Sequence, residues 1–243
     1  MTRSAVALAM SLAFALPAAG QGIDQIVAKN LDARGGVEKL RSVQTVKTSG
    51  KMVGSAPPNM PGGKIEVPIT TWVKRPNKVR REMKFPDRTL TVAFDGTTVW
   101  ALDSTAGTPQ QMTGPQAEAT RDQAELDPLL LDYKDKGHRL EFVGTEALDG
   151  QQVHHLRVTK KNGQVAHHYI SAETGLEARI VENFEQGDRK VEVRTELSNY
   201  QTVDGMQVPF TIKQYNNGQL AAQFNVAEVE FNRPMEDDLF SMK

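Results

Sequence analysis

The chain has 243 residues and no cysteine, and its charges nearly balance, with 29 lysine and arginine residues against 30 aspartate and glutamate residues. The absence of cysteine excludes disulfide bonds, thiolate metal sites and a lipid-modified cysteine after a signal sequence. A net charge of −1 gives no reason to expect nucleic acid as a partner. We therefore expect a fold that is stabilised by packing and hydrogen bonding.

The first residues have the pattern of a secretory signal. An apolar run from Ala5 to Leu16 follows Arg3, and the small residues from Pro17 to Gly20 supply a cleavage site. The run is shorter than the ~20 apolar residues that a bilayer-spanning helix needs. We expect residues 1–20 to be a signal peptide and residues 21–243 to form a single exported, soluble domain, a length that suits one large β domain.

The pattern after the signal changes from helical to extended. Residues from Gly22 to Ser42 have the spacing of an amphipathic helix, which Gly35-Gly36 should break. Later segments alternate apolar and polar residues as strands do, beginning near Ile65, Val79, Leu90, Val191 and Val208. Turn sequences separate the segments at Asp95-Gly96, Asn162-Gly163, Gln186-Gly187-Asp188, Asp204-Gly205 and Asn217-Gly218. The sequence therefore predicts a mainly β fold, with a meandering antiparallel sheet.

The last predicted strand changes parity in its middle. Phe224 and Val226 share one parity, whereas Val229 and Phe231 share the other. We expect a β-bulge at Ala227 or Glu228, which would bend the sheet.

Two stretches interrupt the meander. The first is a loop rich in proline and glycine from Ala56 to Gly63. The second runs from Pro115 to Tyr133 and predicts one or two short helices, with Asp127 as the N-cap and Pro128 as the first residue of the second helix. Helices inserted in a meander usually cover one face of the sheet.

Four of the five histidines lie in two pairs, His154-His155 and His167-His168, on either side of Asn162-Gly163. A two-residue turn there would pair Lys161 with Gln164 and make His155 and His168 diagonal neighbours. The other two histidines would lie on the opposite face, roughly 13 Å apart. Neither face offers the four ligands of a closed zinc site, so we interpret the histidines as polar hairpin surface and expect no metal.

The chain contains no recognised catalytic motif. It lacks the Gly-x-Ser-x-Gly and His-Glu-x-x-His patterns and a glycine-rich phosphate loop. Asp237-Asp238 has the character of solvated charge. We expect no catalytic residues and no cofactor, although a secreted hydrolase of unrecognised type stays an alternative that ester and phosphoester substrates would test.

The most distinctive stretch runs from Trp72 to Trp100 and reads "WVKRPNKVRREMKFPDRTLTVAFDGTTVW". The Trp-Val-Lys-Arg-Pro-Asn segment, the later Pro86-Asp87 and Asp95-Gly96, and the pair Val99-Trp100 resemble the LolA-like family of outer-membrane lipoprotein-sorting proteins. Weaker similarity extends over most of the chain, in "ARGGVEKLRSV", "ETGL", "DGMQVPF" and "DDLFSM". Carriers of the narrow type have aromatic residues where this chain has Val79 and Arg81, so the cargo stays open between a lipoprotein, a phospholipid and another long-chain lipid.

The resemblance implies a strongly bent, unclosed antiparallel β-barrel of about eleven strands, with helices covering its concave face over an apolar cavity for acyl chains. It also implies a periplasmic carrier that delivers a lipoprotein or related lipid toward the outer membrane, with an inner-membrane donor complex and an outer-membrane acceptor as partners. A lipid-binding envelope sensor without transport activity is the alternative.

The resemblance assigns one residue a mechanical role. Arg75 would hydrogen-bond backbone carbonyls of the lid helices and hold the cavity closed. Leucines and a tyrosine of the second insert would form the lid face, and apolar residues of the distinctive stretch would line the cavity. The expected ligand-binding residues are Val79, Met83, Phe85, Phe94, Trp100, Leu129, Leu130 and Tyr133. Arg81 shares parity with Val79 and Met83, so its cation would point toward the cavity or toward its mouth.

Overall fold

The computed structural model describes residues 19–55, 63–186 and 189–242. The predicted signal peptide lies outside these residues except for Ala19 and Gly20, which begin the first helix. The predicted loop from Ala56 to Gly63 lies outside them except for its last residue, and so does the Gly187-Asp188 turn.

Three α-helices and thirteen strands make up the described chain. The helices are α1 (Ala19–Ala33), α2 (Val37–Ser42) and α3 (Pro115–Asp122), and a 3-10 turn covers Asp237–Leu239. The strands of the first half are β1 (Thr45–Ser55), β2 (Lys64–Lys74), β3 (Lys78–Lys84), β4 (Thr89–Phe94), β5 (Val99–Asp103) and β6 (Gln110–Gln111). Those of the second half are β7 (Arg139–Leu148), β8 (Gln151–Thr159), β9 (Val165–Ser171), β10 (Glu177–Gln186), β11 (Arg189–Val203), β12 (Met206–Asn216) and β13 (Gln219–Phe231).

All the described strands belong to one open antiparallel sheet, in the order β6-β5-β4-β3-β2-β1-β13-β12-β11-β10-β9-β8-β7. Each half is a meander whose neighbours follow one another in sequence. The two meanders are joined by the pairing of β1 with β13, in which Val46 lies opposite Phe231. The architecture is the bent, unclosed β-barrel that the sequence predicts, with two strands more than expected.

The helices and the loop between α3 and β7 pack on the same face of the sheet, which we call the helix-bearing face. Cross-strand register connects Val79 on β3 through Val73 and Val46 to Phe231 on β13, and further partners lead to Leu156 on β8. The side chains of these residues therefore point to one side.

Two separate apolar clusters lie on the helix-bearing face. The larger one packs α1 and the loop leucines Leu130 and Leu131 against the strand residues Leu156 and Val158. The smaller one packs Ala117 of α3, and Ala124 in the turn after it, against Val79, Phe94 and Val99. Each cluster buries one end of the face.

The predicted bend in the last strand is confirmed. Ser49 lies opposite Glu228 and the next residue, Gly50, lies opposite Val226, so Ala227 has no partner. This is the two-against-one pattern of a β-bulge. The predicted break of the first helix at Gly35-Gly36 is also confirmed, since both glycines have positive φ and separate α1 from α2.

The predicted register of the histidine hairpin is wrong by one residue. Lys160, not Lys161, is hydrogen-bonded to Gln164, because Gly163 takes φ +86° and closes a three-residue loop. His155 therefore lies diagonal to His167, and their ring nitrogens are 2.8 Å apart.

The predicted second helix of the insert does not form. From Leu129 to Gly137 the chain makes successive turns, with Asp132 at φ 53°. Asp127 is not an N-cap, because its carboxylate accepts hydrogen bonds from Arg75 instead.

Candidate functional site: a cavity beneath helix α3

A cavity of about 280 Å³ lies between α3 and the sheet. Its sheet wall comes from alternate residues of β3 and one residue of β4, since residues two apart in a strand point to one face. Its lid wall comes from α3 and the segments before and after it. The lining residues are Val79, Arg81, Met83, Val92, Met112, Gln116, Ala119, Thr120 and Gln123.

Helix α3 forms because Pro115 occupies its first turn, where the missing N–H needs no partner, and because Gly114 before it adopts φ 74°. Its buried residues Ala117 and Thr120 are small, and so is Ala124, the buried second residue after its end. Small side chains bring the helix close to the sheet but bury little apolar area. Helix α3 therefore buries smaller apolar side chains than the leucine-rich segment after it.

An apolar strip continues from the cavity along the helix-bearing face. Met83 lies opposite Ile69, and the strip then crosses β1, β13 and β12 in register. Its members are Ile69, Val67, Met52, Phe224, Val226 and Ile212, of which only the first two are buried. The strip joins the cavity to the middle of the sheet.

Arg75 lies just after β2 and holds the segment that follows α3. Its Nε donates to the Val43 carbonyl at 2.6 Å, and its two terminal nitrogens donate to the two oxygens of Asp127. Both side chains are largely buried, at 22% and 21% exposure. The hydrogen bond from Arg75 lowers the pKa of Asp127, and Asp127 raises the pKa of Arg75. The partners are thus one backbone carbonyl outside the helices and one carboxylate.

Arg81 lies in the cavity wall beside Val79 and Met83, which settles the face that it occupies. Its Nη2 donates to Gln123 Oε1 at 2.6 Å. Its Nε is buried without a hydrogen-bond partner. Burial lowers the pKa of Arg81, because no carboxylate compensates for the loss of solvent.

The structure brings together only some of the predicted ligand-binding residues. Val79 and Met83 line the cavity, and Phe94 packs in the cluster beside it. Phe85 lies in the loop between β3 and β4, where the Arg88 guanidinium stacks over its ring.

The placement of Trp100 has to be corrected. Trp100 pairs with Ala93, which pairs with Arg80, so its side chain lies on the face opposite to Val79. There its Nε1 donates to the Phe240 carbonyl at 2.9 Å. Successive residues of a strand point to opposite faces, so a shift of one residue is enough to place Trp100 away from the cavity.

The predicted lid residues lie in the larger cluster, away from the cavity. Leu130 is 2% exposed, and Leu129 and Tyr133 pack partly buried against the same cluster. The Tyr133 hydroxyl donates to Asp24 on α1 at 2.9 Å. These side chains anchor the turns to α1.

The sequence interpretation missed the residues that α3 and its C-cap contribute to the cavity, Ala119 and Gln123 among them. The available signal was the recurrence of small residues at Ala117, Thr120 and Ala124, which marks a helix face that approaches a sheet closely.

The described parts of the chain contain neither a membrane-spanning helix nor a cluster of metal ligands. No helix there has the length and hydropathy to cross a bilayer. Within the same residues, no three histidine, aspartate or glutamate side chains are grouped closely enough to hold a metal ion.

No protein-family model matches the chain, and no curated protein does. Solved structures do. A DUF1329 family protein from Desulfovibrio piger has a TM-score of 0.63 and 12% identity, over 90% of this chain and 97% of that one. A LolA superfamily protein from Nitrosomonas europaea has a TM-score of 0.61 and 12% identity, over 89% and 96%. An outer-membrane lipoprotein-sorting protein domain from Vibrio parahaemolyticus has a TM-score of 0.60 and 11% identity, over 92% and 97%. The thirteen-stranded open sheet and its similarity to these structures establish that the chain has a LolA-like fold.

Proposed function

We propose that the protein is a non-enzymatic periplasmic carrier that shields the acyl chains of a lipoprotein or related lipid and delivers them toward the outer membrane. The observation that carries the proposal is the apolar strip that runs from the cavity beneath α3 into the middle of the sheet. The fold shared with a lipoprotein-sorting domain supports it.

The cavity has to enlarge to hold acyl chains. Its volume of about 280 Å³ lies at the lower limit of pockets that hold drug-sized ligands, ~300 Å³. Burial of each methylene group contributes about 0.8 kcal/mol, so a long chain supplies enough free energy to displace a weakly attached element. Helix α3, which packs on the sheet through Ala117 and through Ala124 in the turn after it, is that element.

The Arg75–Asp127 pair sets how easily α3 moves. Asp127 lies in the segment between α3 and the leucines of the larger cluster, and Arg75 connects it to the start of the sheet. The free energy of this contact is subtracted from that of cargo binding, which favours release at the acceptor. Arg75 is thus the latch of α3 in this proposal.

The proposal is tested by filling the cavity from the lid side. Ala119 lines the cavity, whereas Asp122 is an exposed residue of the same helix that does not. Ala119→Trp should lower the uptake of acyl lipid from vesicles about tenfold or more, and Asp122→Trp should leave it unchanged. Uptake is measured by mass spectrometry of an organic extract of the protein after separation from the vesicles.

The uptake and transfer of lipid distinguish a carrier from a lipid-binding sensor. Failure of the unsubstituted protein to take up any lipid would overturn the proposal. Uptake without transfer to acceptor vesicles or to an outer-membrane receptor would replace the carrier with a lipid-binding sensor.

A further inference from the structure

Arg81 differs from the neighbouring arginines in having no carboxylate partner among the described residues. Arg80 pairs with Glu82, Arg121 with Glu118 and Arg75 with Asp127. Arg81 contacts the neutral Gln123 side chain, and its buried Nε has no hydrogen-bond partner. It therefore keeps an uncompensated positive charge and an unused donor in the cavity wall.

None of the described residues that line the cavity around Arg81 is acidic. The cavity is lined by apolar residues such as Val79, Met83 and Met112, and by the neutral polar residues Gln116, Thr120 and Gln123. Placing a guanidinium in such a site is unfavourable unless an anion accompanies it. The structure therefore supplies the cation of a charge pair without its anion.

We propose that Arg81 binds the anionic headgroup, a carboxylate or a phosphate, of an amphiphile whose acyl chain lies along the apolar strip. The inference rests on the proposed function, because it assumes that the strip takes up acyl chains. It narrows the cargo class to lipids with a negative charge next to the chain.

Headgroup binding would also act on α3. Arg81 Nη2 now donates to Gln123, the residue that caps the C-terminal end of α3. A headgroup that accepts parallel hydrogen bonds from Nε and Nη2 takes the place of the Gln123 carbonyl. It removes one contact between α3 and the sheet at the moment when the chain needs space, so the headgroup and the chain favour the same displacement of α3.

The test compares oleic acid with oleyl alcohol, which share a chain and differ in headgroup charge, in binding titrations on the full-length protein. The unsubstituted protein should bind the acid about tenfold more tightly, as expected for one charge-assisted pair. Arg81→Met should bring that ratio close to one while the alcohol still binds. Arg88→Met removes the same charge from the β3–β4 loop, where Arg88 lies near Asp103, and should leave the ratio unchanged.

Each negative result of the binding test leads to a different conclusion. Equal binding of acid and alcohol by the unsubstituted protein would overturn the role of Arg81 and leave the carrier proposal intact. Absence of binding by either would overturn the carrier proposal itself. If acetate or inorganic phosphate alone displaced oleic acid at equal concentration, Arg81 would be a site for free anions and the lipid assignment would be wrong. Arg81→Lys, which keeps the charge, should retain part of the preference and controls for loss of structure.

Discussion

At the scale of single residues, the family resemblance assigns a role to Arg75, and the structure pairs this residue with Asp127. The resemblance predicts that Arg75 holds a lid through backbone carbonyls, whereas the structure supplies one carbonyl and a two-point carboxylate contact. The sequence did not predict the contact of Arg75 with this carboxylate, because Asp127 before Pro128 has the pattern of a helix cap. Its role depends on the close approach of two segments that lie far apart in sequence.

Arg75→Leu should lower the free energy of unfolding by about 1–3 kcal/mol, because it leaves the largely buried Asp127 carboxylate without its donors. Urea denaturation measures the change. Arg41→Leu is the control, since Arg41 also pairs with a carboxylate but is exposed, and its Nη2 alone donates to both oxygens of Asp132. It should alter stability little.

The pH dependence of stability identifies the Asp127 charge as the cause. The folded protein holds the pKa of Asp127 below its ordinary value of 3.8, so the stabilisation is fully present above that pH and is lost as the pH falls through the lower, folded-state pKa. Asp127→Asn should therefore be less stable than the unsubstituted protein at pH 7, and the difference should shrink as the pH falls below 3.8. A difference that stayed constant into acid would show that the charge contributes nothing.

At the scale of elements, the bend in the sheet depends on a glycine facing a bulge. A Cβ added at Gly50 would lie 2.2 Å from the Asn225 carbonyl oxygen and 2.9 Å from the Phe224 ring. A backbone atom cannot yield as a flexible side chain does. The close approach of β1 and β13 at the bulge therefore requires glycine.

Gly50→Ala should destabilise the protein by about 2 kcal/mol or more, because it forces the two central strands apart. Gly54→Ala in the same strand meets its nearest atom, the Ala221 carbonyl oxygen, at 3.3 Å and should cost clearly less. Chemical denaturation of the two variants checks the order. Equal losses would mean that the bulge tolerates a side chain and does not set the bend.

The elements also show where sequence reasoning succeeds and where it fails. The change of parity between Val226 and Val229 located the bulge, because strand alternation is a local property. The Asn162-Gly163 sequence led to the wrong hairpin register. The loop has three residues instead of two, and this shift by one residue turns the side chains of one strand to the other face relative to its partner. The turns after Leu129 replace a helix because both Leu130 and Leu131 pack in the same cluster. Such tertiary packing cannot be predicted from the local sequence pattern.

At the scale of the whole molecule, a C-terminal segment crosses the face opposite to the helices. Phe240 is fully buried there, the Leu239 carbonyl accepts from Arg80, and the Met235 carbonyl accepts from Lys74. Hydrogen bonds from Lys74 and Lys78 lower the pKa of Asp237 to about 2. The segment connects β2, β3 and β5, so β3, which supplies most of the sheet wall of the cavity, is supported from behind.

Phe240→Ala should lower the free energy of unfolding by about 3–5 kcal/mol, because it leaves a void against the sheet. Met242→Ala, at an exposed residue two positions further, should change stability by less than about 0.5 kcal/mol. Denaturation followed by tryptophan fluorescence reports the effect directly, since Trp100 donates to the Phe240 carbonyl. A loss as small as that of Met242→Ala would mean that the segment does not support the sheet.

The pairing of β1 with β13 determines when folding can finish during synthesis. Each meander forms from neighbours in sequence, but the contact that joins them has to wait for the last strand of the sheet to be made. Contacts between distant parts of a chain slow folding, because a large loop has to close before they form. Until then β1 presents a free edge to other chains, which is a hazard for aggregation. In the newly made chain this edge of β1 therefore stays unpaired until β13 has been made.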